Sequence, residues 1–286
     1  MKQKKSKKTI IICILLVLAI SSVWIAYENE ALELNEYSIS SEKLPKAFDG
    51  YRIAHVSDLH NTEIGEKNER LLEMLRTAEP DMIAITGDII DSRNTNIGIA
   101  LEFIEEAIQI APCYYVTGNH EARVSEYDDL KRGMEELGVI VLENEQIKLE
   151  IEEDFITLLG VDDPFFKDDG FAGDSSVLME SRLEELITME DGYRILLSHR
   201  PELFDLYVKY DMDLVLSGHA HGGQFCLPFV GGVFAPHQGF FPEYDAGLHE
   251  KYDTNMLVSR GIGNSLFPFR LNNPPEVIII ELKVKL

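Results

Sequence analysis

The chain has 286 residues, 45% of them hydrophobic, enough for one sizeable domain or two small ones. The first eight residues take five of the 26 basic side chains, so residues 28–286 hold 21 basic groups against 50 acidic ones, a net charge of −29. That balance argues against nucleic acid as a partner, because binding it depends on neutralising phosphates with Lys and Arg. A phosphorylated substrate would need its charge met by bound cations.

Residues 1–8 read as a basic cytoplasmic tail and residues 9–27 (TIIICILLVLAISSVWIAY) as an uncharged transmembrane run. Nineteen residues of helix span about 28 Å, close to the ~30 Å hydrocarbon core of a bilayer. Val23-Trp24-Ile25-Ala26-Tyr27 offers no small-residue cleavage pattern, so an uncleaved signal anchor is expected rather than a cleaved signal. Lysines on the amino-terminal side predict a single-pass protein of the cell membrane with residues 28–286 extracytoplasmic, and Trp24 and Tyr27 suit the outer interface. Residues 28–46 form a spacer with a first strand over 32–39.

Short apolar runs at 51–56, 82–85, 113–116, 156–161, 195–197, 214–216, 256–258 and 277–282 read as buried strands. Between them, Leu71, Leu72 and Leu75 share a helical face that Pro80 closes, and Leu101, Ile104 and Ile108 share another before Pro112. Ser125 with Asp128 predicts an N-cap and capping box, with Gly138 just past that helix. Pro201 begins a helix running to about residue 210. This alternation predicts an α/β fold over 47–286, with two packed, largely parallel sheets flanked by helices. The segment 225–252 has five phenylalanines, two tyrosines and three prolines without periodicity, which marks either a functional loop or irregular core. Of three cysteines, Cys13 lies in the apolar run, while Cys113 and Cys226 read as single thiols, and there is no CxxC motif.

Five motifs each follow a predicted strand: Asp58-Leu59-His60, Gly87-Asp88, Gly118-Asn119-His120-Glu121, Ser198-His199 and Gly218-His219-Ala220-His221. Ligands in α/β folds bind beyond the carboxyl ends of strands. Two carboxylates, an amide oxygen and several imidazoles, without thiolate, suit a pair of hard-to-borderline divalent cations. Asp58 and His60 are spaced to turn toward one ion, as are His219 and His221, where Gly218 and Gly222 let the backbone turn. Singly, each piece has a bland explanation, since Gly-Asp is a common turn and a lone histidine is more often core. Their order along the chain is what points to a site. His55 reads as core, and His237 and His249 fall in the aromatic segment, with His237 the one weighed as a neighbour of the cluster. Arg200 and Arg260 are each read as a phosphate anchor or a structural ion pair, Arg260 in glycine-rich 259–263 being the stronger substrate-binding candidate.

The series D-x-H, GD, GNHE, SH, GHxH resembles that of the calcineurin-like metallophosphoesterases. Gly218 to Gln224 (GHAHGGQ), Gln238-Gly239-Phe240, Ser259-Arg260-Gly261-Ile262-Gly263 and Pro275-Glu276 further resemble the membrane-anchored YkuE/YaeI-like phosphodiesterase branch, over about residues 31–286. The resemblance implies a double-sheet sandwich with two metals at the strand ends. By motif it implies Asp58, His60, Asp88 and His221 on one ion and Asp88, Asn119, His199 and His219 on the other, with Asp88 bridging. His120 would serve as general acid or as donor to the phosphoryl oxygens. Glu121 would orient neighbours, or be only a solvated acid at a helix start.

The implied cofactors are two divalent ions, Mn, Fe or Zn. Two such ions roughly 3.5–4 Å apart acidify a shared water and clamp two phosphoryl oxygens for in-line attack. The expected reaction is hydrolysis of a phosphodiester by a metal-bridging hydroxide. The tether and the aromatic segment suggest an envelope or lipid-linked phosphoester. The alternatives are a pyrophosphatase of a nucleotide-linked lipid and a noncatalytic membrane-anchored binding protein, the latter disfavoured by a ligand set with no member missing.

Overall fold

The computed structural model describes residues 2–166, 175–187, 192–265 and 267–285, with side chains of the first helix from Lys8 onward, so most of the expected basic tail lies outside the described side chains. Helix α1 runs Lys2–Glu30. Its Lys8–Glu30 portion is long and apolar enough to cross a membrane, and none of its apolar window is buried against the protein. Two residues later the domain begins.

The first sheet is built from β1 (Glu33–Ser41), β2 (Arg52–Val56), β3 (Met82–Thr86), β4 (Cys113–Val116) and β5 (Ile140–Val141). The second contains β6 (Glu145–Ile151), β7 (Asp154–Gly160), β8 (Arg194–Leu197) and β9 (Leu214–Ser217). The aromatic segment folds as two small ribbons, β10 (Cys226–Leu227) with β11 (Gly231–Gly232) and β12 (Phe234–Ala235) with β13 (Gly239–Phe240). The chain then adds β14 (Gly247–Lys251) and β15 (Thr254–Val258) to the second sheet and closes the first with β16 (Glu276–Val284). Strand orders are β1-β16-β2-β3-β4-β5 and β14-β15-β9-β8-β7-β6. In the first sheet β2 to β5 run parallel, and in the second β15, β9, β8 and β7 do, so the expected parallel core is present in both.

Period-two alternation explains why two sheets stack. Ile53, Ile195, Leu197, Leu214 and Leu216 point into the layer between the sheets, together with Ile278 and Ile280 of β16. Their neighbours Ala54 and Val56 face the helices of the first sheet, and Leu196 and Val215 those of the second. The outer layers are α2 (Glu69–Ala78), α3 (Ile97–Ala107) and α4 (Tyr127–Leu137) on one side, and α5 (Ser175–Leu186) and α6 (Phe204–Lys209) on the other. Each fully buried Leu or Ile contributes about 1.5–3 kcal/mol, so three continuous apolar layers leave room for a polar site only at the strand ends.

Leu71, Leu72 and Leu75 are buried as the α2 face requires, and Gly138 caps α4 in the left-handed region. The start of α4 differs from the expected capping box. Ser125 Oγ donates to Glu126 instead, and the helix begins at Tyr127, whose ring packs edge-on against Phe166 at 4.5 Å and whose hydroxyl donates to Glu143. Burying that tyrosine sets the helix start more firmly than an exposed serine cap would.

Candidate metal centre

Six side chains from four strand ends converge, and a seventh, Asn119, follows the neighbouring strand β4. Asp58 and His60 follow β2, Asp88 follows β3, Asn119 follows β4, His199 follows β8, and His219 and His221 follow β9. All are buried. Asp58, His60 and His221 present donor atoms within 4.8 Å of one another, as do Asp88, His199 and His219. In the first group His221 Nε2 lies 3.1 Å from Asp58 Oδ1 and 3.2 Å from His60 Nε2. In the second, His199 Nε2 lies 3.3 Å from Asp88 Oδ2 and 3.2 Å from His219 Nδ1.

These spacings fit cations. An ion about 2.0–2.1 Å from two imidazole nitrogens holds them roughly 2.9–3.4 Å apart. Among the described residues nothing hydrogen-bonds the buried Asn119 Oδ1, an arrangement that is costly unless another group satisfies it. Asp88 stands between the groups: its Oδ1 accepts from the His120 N–H at 2.7 Å, leaving Oδ2 3.6 Å from His60 Nε2 and 3.3 Å from His199 Nε2. Burial alone would raise the Asp58 and Asp88 carboxyls, but surrounding histidines, His221 and His199 for Asp58 and His199 for Asp88, hold both below the usual carboxylate range. Burial would likewise lower His199, yet Asp88 and Asp58 lift it to about 10. The field here calls for positive charge.

Hydrogen bonds fix which nitrogens face the cluster. His199 Nδ1 lies 2.7 Å from the Thr86 carbonyl, so it is the donor and Nε2 is the nitrogen that faces the cluster. His237 Nδ1 lies 2.6 Å from Arg200 Nη1 and 2.9 Å from His219 Nε2. His219 Nε2 is also 3.0 Å from Arg200 Nη1, so Arg200 and His237 together hold the outer edge of that ring and leave Nδ1 toward His199 and Asp88. Burial, then Arg200, pushes His237 down to about 4, which keeps it neutral for that task. Arg200 is itself seated by Asp163, through Nε to Oδ2 and Nη2 to Oδ1, with both side chains at most 1% exposed. A second relay runs from the core: His55 to Thr86 Oγ1 (2.8 Å), Thr86 to Ser57 (2.8 Å), and Ser57 to Asp58 Oδ2 (2.6 Å). His55 is a core residue, as its position in the strand suggested.

Backbone strain concentrates here. Asp58, His60, Asp88, His219 and His221 all have left-handed φ, between 48° and 67°, a conformation that is uncommon for residues other than glycine and clusters at functional sites. The flanking glycines supply space more than torsion. A β-carbon at Gly218 would overlap Ser57 Oγ and the Asp58 carboxylate, and one at Gly118 would overlap Asp88. Gly222 does adopt positive φ, but Gly218 does not.

Glu121 is buried, not solvated. Its Oε2 accepts from the backbone of Asp88 (2.9 Å) and Gly118 (2.7 Å), and Oε1 from Ile90 (3.3 Å), tying the two glycine turns together. Burial, then Asp88, raises it to about 7. His120 sits at the rim with Nε2 4.0 Å from Asp88 Oδ2, and its Nδ1 accepts from the Ser92 N–H at 3.0 Å, so Nε2 carries the proton of the neutral ring. Of the two readings of Arg260, the geometry favours the ion pair: its guanidinium lies 2.8 Å from Glu33 and 2.9 Å from Glu276. Arg200 is likewise committed to Asp163, and His249 has no place in either histidine cluster. Arg270, which no motif announced, is fully buried, donates to the carbonyls of Arg260 and Gly263, and backs His221 Nδ1 at 3.5 Å. Cys113 and Cys226 are free.

The family model described as calcineurin-like phosphoesterase matches residues 51–223. An uncharacterized metallophosphoesterase of Aquifex aeolicus is 32% identical over 265 residues, covering 90% of this chain and 94% of its own. Phosphodiesterase YaeI of Escherichia coli is 29% identical over 209 residues, covering 71% of each. Among solved structures, TT1561 of Thermus thermophilus superposes with a TM-score of 0.52 over 74% of this chain and 90% of that one, at 15% identity, a likeness of fold. A match across more than half the chain and a relative that runs along most of its length show that the protein belongs to the calcineurin-like phosphoesterases, metal-dependent hydrolases of phosphoesters that use two divalent ions.

Proposed function

We propose that this protein is a phosphodiesterase of the membrane envelope, with Asp58, His60, Asp88 and His221 holding one divalent ion and Asp88, Asn119, His199 and His219 the other. The observation that carries the assignment is Asp88 Oδ2, which faces histidines of both groups while Oδ1 is occupied by a backbone N–H. When bound, two such ions supply an acidified water and charge compensation for the phosphoryl oxygens. The chain's own contribution is orientation. Glu121 fixes the turns that carry Asp88 and Asn119, the Asp163–Arg200–His237 chain holds the orientation of the His219 ring, and His120 offers an Nε2–H donor at the rim for a phosphoryl or leaving-group oxygen.

Support for a lipid or lipid-linked diester comes from α1 and from the aromatic segment, whose rings do not all pack inward: Phe229 is fully exposed and Phe240 74% exposed. The YaeI relative carries the name phosphodiesterase, which favours a diester over a monoester or pyrophosphate. Lysines before α1 favour a cytoplasmic amino terminus and an extracytoplasmic domain.

The test is turnover of bis(p-nitrophenyl) phosphate, p-nitrophenyl phosphate and a phospholipid by the full chain in detergent, stripped of metal and reloaded with Mn²⁺ or Zn²⁺. The expected result is metal-restored diester hydrolysis that Asp88→Asn abolishes. Preferential release of inorganic phosphate from the monoester would overturn the diester assignment, and full activity in Asp88→Asn would overturn the metal assignment.

A further inference from the structure

The end of α1 is not a loose tether. Arg270 N donates to Asn29 Oδ1 at 2.8 Å, Asn29 Nδ2 donates to Arg270 O at 3.1 Å, and Asn272 N donates to Oε2 of the buried Glu28 at 2.7 Å. The same strap continues into the aromatic ribbons, with Cys226 N on Leu271 O at 2.9 Å, Asn272 Nδ2 on Cys226 O at 3.1 Å and Gln224 Nε2 on Phe269 O at 2.8 Å. The Arg270 side chain, in turn, backs His221. The last turn of α1, the 269–272 strap and the ribbon entry at 224–226 are therefore one hydrogen-bonded unit at the metal end of the molecule.

Length settles how far this unit can stand from a bilayer. Trp24 precedes Asn29 by five residues, about 7.5 Å of helix. The polar layer on each side of the ~30 Å hydrocarbon core is roughly 5–8 Å thick. With Trp24 near the edge of the hydrocarbon, where indole rings are favoured, the tied face lies within or against the polar layer.

What this face offers is apolar. Residues 225–241 contain no Asp, Glu, Lys or Arg, although residues 28–286 carry a net −29. The β10–β11 ribbon exposes Phe229 (108%) and Val230 (60%), and the segment at β13 exposes Phe240 (74%) and Phe241 (61%). Exposed aromatic side chains on a segment without charges of its own, in a strongly acidic protein, mark an interaction site, and the nearest carboxylate, Asp245, is tied to the Gly232 N–H at 2.6 Å.

We propose that the β10–β13 ribbons insert into the polar layer of the bilayer that α1 crosses and hold the metal end against the headgroups. The proposal rests on α1 being a spanning helix and on no particular phosphoester. The ribbons act as a second, shallow contact that fixes the tilt of the domain, as amphipathic aromatic segments do when they lie in an interface.

Because Trp24 is the single tryptophan, fluorescence can read each contact separately. The full chain, in phosphatidylcholine vesicles with or without lipids brominated near the top of the acyl chain, is compared as wild type, as Trp24→Phe/Phe229→Trp, as Trp24→Phe/Phe240→Trp, and as Trp24→Phe/Tyr252→Trp. Tyr252 is 88% exposed but lies at the β14–β15 turn, at the end of the second sheet where β9 begins rather than where His219 and His221 follow it. Loss of most emission at 229 and 240 in brominated vesicles, with none at 252, is the expected result, and either of the two ribbon variants suffices if the other fails to fold. Quenching of Trp24 in the wild type with unchanged emission at 229 and 240 overturns the ribbon insertion while leaving the anchor intact. Absence of Trp24 quenching overturns the anchor itself. Emission at 229 that shifts to the blue with protein concentration and is insensitive to bromine would assign the face to a second copy of the chain and overturn the proposal.

Discussion

Asp163→Asn is the most informative single substitution, because it removes one charge from a pair that has no access to water. The Arg200 and Asp163 side chains are 1% and 0% exposed, so solvent screening gives no discount. Breaking such a pair by removing one partner costs about 3–5 kcal/mol, and the retained contact of Arg200 with Glu202 at 3.3 Å places the loss near the lower end. With an unfolding entropy of ~2.1 cal/mol/K per residue, a loss of about 3 kcal/mol lowers Tm by roughly 5–6 °C for a chain of this length. The asparagine keeps an oxygen for the Phe165 N–H, so the measured loss reports the charge and not the shape. Asp163→Leu/Arg200→Met, which removes both charges, should recover stability to within about 1 kcal/mol of wild type. Neither variant retains the donor to His237 in its native setting, so metal affinity should fall on the order of 10–100-fold in both, as read by competition with a chromogenic chelator. A loss below about 1 kcal/mol in the single variant, or a double variant no more stable than it, would refute the buried-pair argument. Unchanged metal affinity in the double variant would refute the orienting chain.

Three further outcomes are expected. Burial lowers His55 to about 3 against 6.5 for the free side chain, so the unfolded chain takes up the proton first and stability is lost as pH falls from 6.5 toward 3. At pH 4.5 this amounts to roughly 2–3 kcal/mol, and His55→Gln, which retains a donor to Thr86, should lose about that much less between pH 7 and 4.5 in urea titrations, identical acid slopes counting against the account. Glu121→Gln presents an amide N–H where two or three backbone N–H groups need an acceptor, costing about 1–3 kcal/mol and lowering bound metal with the fold retained by circular dichroism; wild-type metal content would contradict the clamp. Gly218→Ala should abolish metal binding through overlap with the Asp58 carboxylate, whereas Gly239→Ala, also at a glycine but with nothing within 4 Å of the added carbon, should cost only about 1 kcal/mol of backbone strain; equal metal content in the two would refute the close-approach argument.

The residues of the candidate metal centre could be gathered from sequence because each follows a short apolar run, and a parallel sheet delivers whatever follows its strands to one end. The layers were legible for the same reason, through the alternation in 195–197 and 214–216. What the pattern could not carry is how the ligands are held. Left-handed φ at Asp58, His60, Asp88, His219 and His221 has only a weak residue signature, since Asp and His adopt it more readily than other non-glycine residues but far more often do not. Asp163, Arg200, His237 and Arg270 reach the cluster only through contacts 18 to 49 positions apart, beyond the reach of local periodicity. The antiparallel strands β6 and β14 went unread because their exposed faces break the apolar runs that marked the inner strands. The capping box at Ser125 yielded to the burial of Tyr127. Arg260 looked like a phosphate anchor because its setting in 259–263 is glycine-rich, while the two carboxylates that engage it lie far away in sequence.

The position of β16 has a consequence for how the chain comes into being. Among the described residues β1 pairs with no strand except β16, parallel over nine residue pairs, and β16 in turn separates it from β2. Until residues 276–284 have been synthesised and delivered, β1 has no edge to join, and β2 exposes an open row of backbone donors and acceptors of the kind that recruits other chains. β1 thus waits for β16 until the segment between them has been translated. Assembly of this sheet is gated at β16, and the vulnerable interval is the time needed to produce everything between the two strands.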